Sequence, residues 1–324
     1  MIHILLSTDD NYIMPSAVMM KSVSANNLDT NVSFHVLVDE SVEDKQKEQL
    51  EITIINPKHQ IVFHNIDRKQ FERFPMVSGV KHYITLATYY RLLIPSLLSE
   101  DIHKVIYLDG DMIVRKPLDE LWNMDIEKYA VGVVTDMEED KHDYKRLGYD
   151  KSFGYFNAGM LLINLDYWRE HKLEDVFFKL IAEEPERIIL HDQDVLNITL
   201  HDQKLNLTKR FNVQSGFLRK PEYSGLGNRY EEYKDDIIEA IKEPVIVHYT
   251  DKFKPWHIED SNPYGYEFMK YYKQTKWKFC PLKHSYRWNL RHFVGTILRK
   301  LHLIAPIDLE DYKFYSHEEI QKLA

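Results

Sequence analysis

Cysteine is nearly absent: the 324 residues contain one, Cys280. That excludes an intrachain disulfide and a multi-thiolate zinc site, and it fits a reducing compartment. No apolar run approaches the length of a membrane span. The first residues, Met1-Ile-His-Ile-Leu-Leu6, have no basic run ahead of them and soon meet Asp9 and Asp10, so they read as a strand and not as a signal peptide. Internal repeats and low-complexity tracts are missing as well. Positive charge is in deficit, with 42 Lys and Arg against 51 Asp and Glu and a net charge of −9, which argues against a general nucleic-acid binder. The remainder, 44 % hydrophobic and 29 % charged, is that of an ordinary soluble globular protein whose length suits one α/β domain or two.

What is present begins with alternation. Ile2 to Leu6, Val32 to Val38 and Ile61 to Ile66 read as strands. Between them, Met14 to Val23, with Pro15 near its start, and Ser41 to about Ile55 read as helices. Strand and helix in turn predict a mainly parallel sheet with crossover helices, and in such sheets ligands bind beyond the carboxyl ends of the strands. Asp9-Asp10 lies at one such end. A stronger signal comes at Lys104-Val-Ile-Tyr-Leu-Asp109-Gly-Asp111-Met-Ile-Val114, where an apolar strand ends in two carboxylates separated by a glycine. Hard oxygen ligands at that spacing suit Mg²⁺ or Mn²⁺ carrying phosphate oxygens, and Gly110 lets a ligand approach the backbone. By spacing alone, a polar Asp-Gly turn explains the stretch equally well.

Further along, Thr85 to Ile94 reads as a helix that Pro95 should end or kink, with Arg91 interrupting its apolar face. Tyr129 to Val134 reads as a strand, Asp136 to Asp150 as a mobile charged loop, and Phe156 to Asn164 as an apolar strand. His191-Asp-Gln-Asp194 follows a short apolar strand at Ile188 to Leu190. It is either another site edge or the acidic first turn of a helix. Val213 to Arg229 has no clear period and reads as loop. Tyr230 to Glu243 is a helix, and Val245 to His248 is a last strand with a histidine at its end. From Lys276 to Leu303 there are seven Lys or Arg, no acid, and five aromatic residues that include Trp277, Trp288 and Phe293. That composition suits attachment to an anionic membrane surface, or else a basic amphipathic helix packed on the domain. An acidic tail follows from Asp308.

Taken together, these segments resemble the family 8 retaining glycosyltransferases, most of all the bacterial galactosyl- and glucosyltransferases of lipooligosaccharide synthesis, with glycogenin more distant. The resemblance rests on Asp9-Asp-Asn-Tyr12, Thr88-Tyr-Tyr-Arg91, Tyr107-Leu-Asp-Gly-Asp111, Phe156-Asn-Ala-Gly159, Asp192-Gln-Asp194 and His248 followed by Lys254-Pro-Trp256, in the family's order. It implies a GT-A fold with the catalytic domain over 1–265, beside which the basic and aromatic composition described above marks 266–324 as a C-terminal attachment segment. It further implies a Mn²⁺ (Mg²⁺ as an alternative) on Asp109, Asp111 and His248, bound to the diphosphate of UDP-galactose or UDP-glucose. Thr8, Asp9, Asn11 and Tyr12 would then hold the nucleoside, and Gly110 would face the donor. Arg91 and Lys254 would meet phosphate or donor, and Asn157, Ala158, Asp192 and Gln193 would surround the sugar. Gln193 would lie beneath the anomeric carbon, with Asp194 a second candidate to support it. The acceptor would be a saccharide, and the setting would be the cytoplasmic face of a bacterial plasma membrane.

One position departs from the pattern. Asp251 stands where the family often has glycine, three residues after the histidine, and Lys252 beside it would assist Lys254. Two rival readings remain at this point: a haloacid dehalogenase-type phosphatase, which also uses Asp-x-Asp after an apolar strand, and a non-catalytic sugar-nucleotide-binding protein.

Overall fold

Strand β1 (Ile2–Thr8) sits near the centre of the molecule, paired in parallel with β2 (Val32–Val38) on one side and with β4 (Lys104–Leu108) on the other. The computed structural model in which these pairings are seen describes residues 1–54, 56–76, 85–258, 260–282, 298, 303 and 313–323. β3 (His59–Asn65) pairs in parallel with β2 at the edge. Beyond β4 come β7 (Phe156–Asn164), β6 (Val131–Thr135) and β8 (Lys204–Asn206), giving the order β3-β2-β1-β4-β7-β6-β8. Only β7 runs against its neighbours, so the sheet is mainly parallel as expected. β2 and β7 are buried along their whole length, as strands covered on both faces must be.

The two faces of the sheet carry separate cores. Ile2, Ile4 and Leu6 face the helix Ile13–Asn26, which is itself wedged against a second, three-stranded sheet of β5 (Met112–Val114), β10 (Ile246–His248) and β9 (Val213–Gln214). Ser22 Oγ of that helix accepts from Val114 N at 2.9 Å, and Asn26 Nδ2 donates to Val114 O at 3.0 Å, tying the helix to the edge of the small sheet. Leu5, Leu37 and Tyr107 face the other way, toward Leu86–Leu93 and the helices Leu173–Glu183 and His191–Leu200.

Several segments differ from expectation, each for a visible reason. Leu86–Leu93 winds as a 3₁₀ helix and not as an α-helix. The α-helical partner of the Arg91 carbonyl would be the nitrogen of Pro95, which has no hydrogen; Ile94 N, one residue earlier, donates to that carbonyl instead. Ile188 to Leu190 forms no strand: Ile189 N and Leu190 N donate to Asp194 Oδ2 at 2.8 and 2.7 Å, so neither is available to a ladder. Within the charged stretch after β6, Asp143 and Asp150 cap two short helical turns, and Gly148 closes the first at φ 76°. The unpatterned stretch from Val213 contains β9 and two 3₁₀ turns, at Pro221–Tyr223 and Gly227–Arg229.

The C-terminal boundary expected at 265/266 falls at the start of the helix Gly265–Tyr272. Phe268, Tyr271 and Tyr272 of that helix join the same core as β1, and so do Phe314 and Ile320 near the end of the chain. Most of the basic stretch from Lys276 to Leu303, Trp288 and Phe293 included, lies outside the described residues.

Candidate active site

The two sheets meet where β4 ends and β5 begins, and the turn between them is Asp109-Gly110-Asp111. β5 pairs antiparallel with β10, which sets His248 opposite Met112 and so beside Asp111. β4 pairs antiparallel with β7, and Asp109 N continues the ladder to Gly159 O at 2.8 Å. The β6–β7 register shifts between Val133 and Val134, leaving Ala158, Gly159 and Met160 without partners on β6. That irregularity turns Asn157-Ala158-Gly159 toward the carboxylates. A Cβ at Gly159 would collide with the His248 ring, so that position requires glycine for space, and at Gly110 it would lie 2.6 Å from Ser16 Oγ, which would have to move aside.

Each carboxylate of the turn commits one oxygen to a protein cation and turns the other toward His248. Asp109 Oδ1 receives Arg91 Nη2 at 2.8 Å and the Tyr107 hydroxyl at 3.0 Å, while its Oδ2 lies 3.9 Å from His248 Nε2. Asp111 Oδ2 receives Lys254 Nζ at 2.8 Å, and its Oδ1 lies 3.3 Å from the same Nε2. Burial opposes the charge on Asp111, but Lys254 and His248 beside it hold its carboxyl well below the usual carboxylate range. Three ligand atoms, one from each of Asp109, Asp111 and His248, lie within 4.8 Å of one another, the one such cluster among the described residues. Two oxygens and an imidazole nitrogen in this arrangement fit a divalent ion of the Mn²⁺ or Mg²⁺ type.

Arg91 is buried and fully engaged. Its Nε donates to Thr88 O at 3.1 Å and lies 3.0 Å from Asp192 Oδ2, Nη1 donates to Ala158 O at 2.6 Å, and the guanidinium stacks 4.0 Å above Tyr107. Asp192 also accepts from the Thr88 hydroxyl. Burial pushes the Asp192 carboxyl up to about 6, because Arg91 is shared with Asp109 and offsets only part of the desolvation. Dehydration works against the charge on Arg91 as well, yet the two carboxylates more than reverse that and raise its pKa.

Gln193 Oε1 accepts from Ala158 N at 3.0 Å, and its Nε2 approaches Asp136 Oδ2 at 3.4 Å. Helix His191–Leu200 aims Asp192 and Gln193 inward from a left-handed residue, His191 at φ 53°. Strain of this kind is retained where the surroundings over-determine it.

One cleft gathers thirteen of the fifteen residues expected from the sequence: Thr8, Asp9, Tyr12, Arg91, Asp109, Gly110, Asp111, Asn157, Ala158, Asp192, Gln193, His248 and Lys254. At its β1 end, Asp9 Oδ1 accepts from Asn11 N and Tyr12 N, both at 3.0 Å, which shapes the loop, and the Tyr12 ring meets Trp256 edge-on at 5.7 Å. Two expected residues are placed elsewhere. Asn11 is exposed, its amide turned to Asp10 at 3.0 Å. Asp194 is sealed beneath the cleft, where it receives Arg146 at 2.8 Å and the Tyr155 hydroxyl at 2.8 Å as well as the two backbone amides named above. Asp251 is paired with Arg219 at 2.6 Å, and Lys252 lies over Phe253 at 4.9 Å; neither lines the cleft beside Lys254.

The cleft also contains residues given no site role from sequence: Thr88 and Tyr107, which were named only within motifs, and Asp136, Met137, His142 and Thr250. Asp136 stands just beyond the carboxyl end of β6, so the edge rule that exposed Asp109 could have found it. Asn212, which lies under the metal-type cluster, sits just before the unpatterned stretch that begins at Val213 and gave no signal.

The fold and cleft together define a GT-A α/β protein with a nucleotide-sugar-type site. The sequence profile of the family described as Glycosyl transferase family 8 matches residues 3–260, and the chain belongs to that family. It is 31 % identical over 279 residues to General stress protein A of Bacillus subtilis, covering 85 % of this chain and 94 % of that one. It is 28 % identical to the lipopolysaccharide 1,3-galactosyltransferase of Salmonella typhimurium, over 88 % of this chain and 83 % of that one. Among solved structures, the galactosyltransferase LgtC in complex with donor and acceptor sugar analogs superposes with a TM-score of 0.74 at 26 % identity, over 85 % of this chain and 96 % of that one.

Proposed function

We propose that the enzyme transfers a hexose, galactose or glucose, from a UDP-sugar to a saccharide acceptor of a cell-surface glycan, with a divalent ion, Mn²⁺ or Mg²⁺, and with retention to give an α-linkage. The observation that carries this reading is the convergence of Asp109 Oδ2, Asp111 Oδ1 and His248 Nε2 on one point, beside a cleft walled by Asp192 and Gln193. The galactosyl- and glucosyltransferase relatives support the hexose and the surface-glycan acceptor.

A divalent ion bound at this cluster would offset the charge that develops on a departing UDP. The protein's own groups divide the remaining work. Tyr12, held by Asp9 and packed on Trp256, offers a ring to the base, with Thr8 and Asp9 beside it for uracil and ribose. Lys254 and Arg91 bring positive charge to the phosphate side and are already fixed by Asp111 and Asp109, so little reorganisation is needed as the bond breaks. Asp192, with Asn157 and Ala158, receives the sugar and can accept two of its hydroxyls. Gln193 is a poor nucleophile. Its amide supports the face of the anomeric carbon while the acceptor hydroxyl attacks from the leaving-group side, and the hydroxyl proton passes to the departing phosphate.

A peripheral place on the inner face of a bacterial plasma membrane is part of this proposal. It rests on the acid-free basic and aromatic composition of Lys276 to Leu303. Among the described residues no helix is long and apolar enough to cross a membrane.

The phosphatase alternative is set aside by the family assignment, and here the Asp-x-Asp follows the fourth strand. The test is UDP release from a panel of UDP-sugars with and without Mn²⁺, in the wild type and in Asp111→Asn. Metal-dependent turnover that fails in Asp111→Asn, with an unchanged circular dichroism spectrum, is expected. Binding without turnover across the panel, or near-normal turnover in the variant, overturns the reading.

A further inference from the structure

The imidazole of His248 can present a lone pair to Asp109 and Asp111 only if its Nε2 carries no proton, and the surrounding network determines which nitrogen is protonated. The deduction starts from a group with no ambiguity, a backbone amide. Gly159 N donates to the Asn157 side chain at 3.0 Å, so the atom it meets is the amide oxygen. The same oxygen faces the Asn212 amide at 2.9 Å, so Asn212 must turn its NH₂ that way and its own oxygen the other way. That Asn212 oxygen lies 3.0 Å from His248 Nδ1, which must therefore carry a proton, so the proton that a cation displaces is the one on Nε2. The far end agrees: Asn157 Nδ2 points to Asp136 Oδ2 at 3.2 Å, a carboxylate that Asn157, His142 and Glu138 N help to keep ionised against burial. Asn212 and His248 are both buried, with Asn212 wholly excluded from solvent, so water offers no competing partner.

We propose that Asn212 is a positioning residue that locks His248 in the Nδ1–H tautomer, leaving the Nε2 lone pair aimed at the two carboxylates. Its origin in the fold is local. Asn212 stands immediately before β9, whose parallel pairing with β10 matches Val213 to Val247 and Gln214 to His248, and the β7 irregularity places Asn157 within its reach. An imidazole with either nitrogen free to hold the proton would spend part of its time with Nε2–H toward the cluster, donating to Asp111 Oδ1 and closed to a cation. A second hydrogen-bond partner that fixes ring and tautomer is a common support for metal-binding histidines, and its loss typically costs 10–100-fold in metal affinity. The use of the tautomer rests on the metal reading given above; the tautomer itself does not.

The experiment uses full-length, metal-free protein with ¹⁵N-labelled histidine at pH 8. His248 is identified among the 16 histidines by its absence from His248→Gln. Long-range ¹H–¹⁵N correlation should show a protonated Nδ1, and titration with diamagnetic Mg²⁺ should leave that proton in place with Nε2 bare. Asn212→Leu should give a mixture or the Nε2–H form and weaken Mn²⁺ binding, read by electron paramagnetic resonance of free Mn²⁺, by roughly 10–100-fold. Asn212→Asp, whose carboxylate still accepts from Nδ1 but has no hydrogen for the Asn157 oxygen, should keep Nδ1 protonated. It also serves as the informative variant should Asn212→Leu fail to fold. A wild type whose Nδ1 is bare, or an Asn212→Leu protein with unchanged Nδ1 protonation and Mn²⁺ affinity, overturns the proposal. A correct tautomer in a wild type that binds neither Mn²⁺ nor Mg²⁺ overturns the metal reading and leaves the assignment of Asn212 to the tautomer standing.

Discussion

Asp192 and Asp194 sit one residue apart on the same helix, both buried and both next to an arginine, and they do different things. Residues i and i+2 of a helix point to different sides. Asp192 therefore reaches the cleft, where Arg91 and Thr88 hold it and a donor could still approach. Asp194 points into the protein, where Arg146, the Tyr155 hydroxyl and the amides of Ile189 and Leu190 occupy its oxygens. In a sequence the two are equivalent acids in one motif. What separates them is whether the fold has already filled their lone pairs. The same criterion marks Asp109 and Asp111, each of which leaves one oxygen turned toward His248.

The largest test of that difference is Asp194→Ala. It strands the charge of Arg146 and leaves two backbone amides and a buried hydroxyl without their acceptor. Breaking one side of a buried, hydrogen-bonded ion pair costs about 3–5 kcal/mol. A lower denaturation midpoint in urea and poor soluble yield are expected, with any folded fraction still metal-dependent. A variant of normal stability that has lost transfer would put Asp194 in the chemistry and erase the contrast with Asp192.

Asp192→Asn should behave in the opposite way: folded, with kcat/KM for transfer reduced roughly 10²-fold, as for loss of one fixed polar group at a reacting centre. Its stability should carry a pH signature. The folded-state pKa of Asp192, about 6, is above the ordinary aspartate value of 3.8, so in metal-free wild type the folded chain binds more protons than the unfolded chain between those values. Stability from this group is therefore complete below about pH 4 and declines as pH rises through 6. The melting temperature of Asp192→Asn relative to wild type should shift in the variant's favour between pH 4 and pH 7. A constant difference across that range would mean that Asp192 is ionised throughout, and the distinction between a strained and a satisfied acid would lose its electrostatic basis.

The contrast also shows what a sequence can and cannot convey. The strand–helix alternation, the apolar runs and the acid-bearing strand ends were legible because each follows from a local pattern, whereas most of the thirteen residues that line the cleft were reached through the family resemblance. The apolar period of Leu86–Leu93 does not reveal its 3₁₀ winding, and the missing hydrogen at Pro95 accounts for the last turn alone. Ile188 to Leu190 looked like a strand because its apolar character was visible while its competing partner, Asp194, was not. Asn212 was invisible for a different reason. Its importance comes from two β-pairings that bring residues 157, 212 and 248 together, and nothing near it in the chain records them. The separate C-terminal segment expected from residue 266 was drawn on composition; the described parts of it, at Gly265–Tyr272 and Phe314–Ile320, are bound into the main core by apolar contacts that composition does not locate.

The smallest expected effect concerns the residue between the two acids. Gln193 is tied to the β7 wall through Ala158 N and to Asp136, and its side chain has no charge to lose. If it supports the donor without bonding to it, Gln193→Ala should slow transfer by about 10-fold, equivalent to about 1.4 kcal/mol in the barrier, and leave the product anomer unchanged. An inverting reaction needs a side-chain base near the acceptor hydroxyl, usually a carboxylate. Asp194 cannot serve, being sealed beneath the cleft, and Asp192 is held by Arg91 and Thr88 on the donor side. A front-face reaction uses no such base, because the hydroxyl proton leaves with the phosphate. From an α-configured UDP-hexose, both wild type and Gln193→Ala should therefore give a product with the small anomeric proton coupling of an α-linked gluco- or galacto-sugar. A large coupling from wild type would mean inversion and would direct the search for a base to the other titratable groups of the cleft, Asp136, Glu138 and His142. A large coupling from Gln193→Ala alone would mean that the amide guards the face of the sugar opposite the leaving group, and that water or acceptor enters there once it is removed.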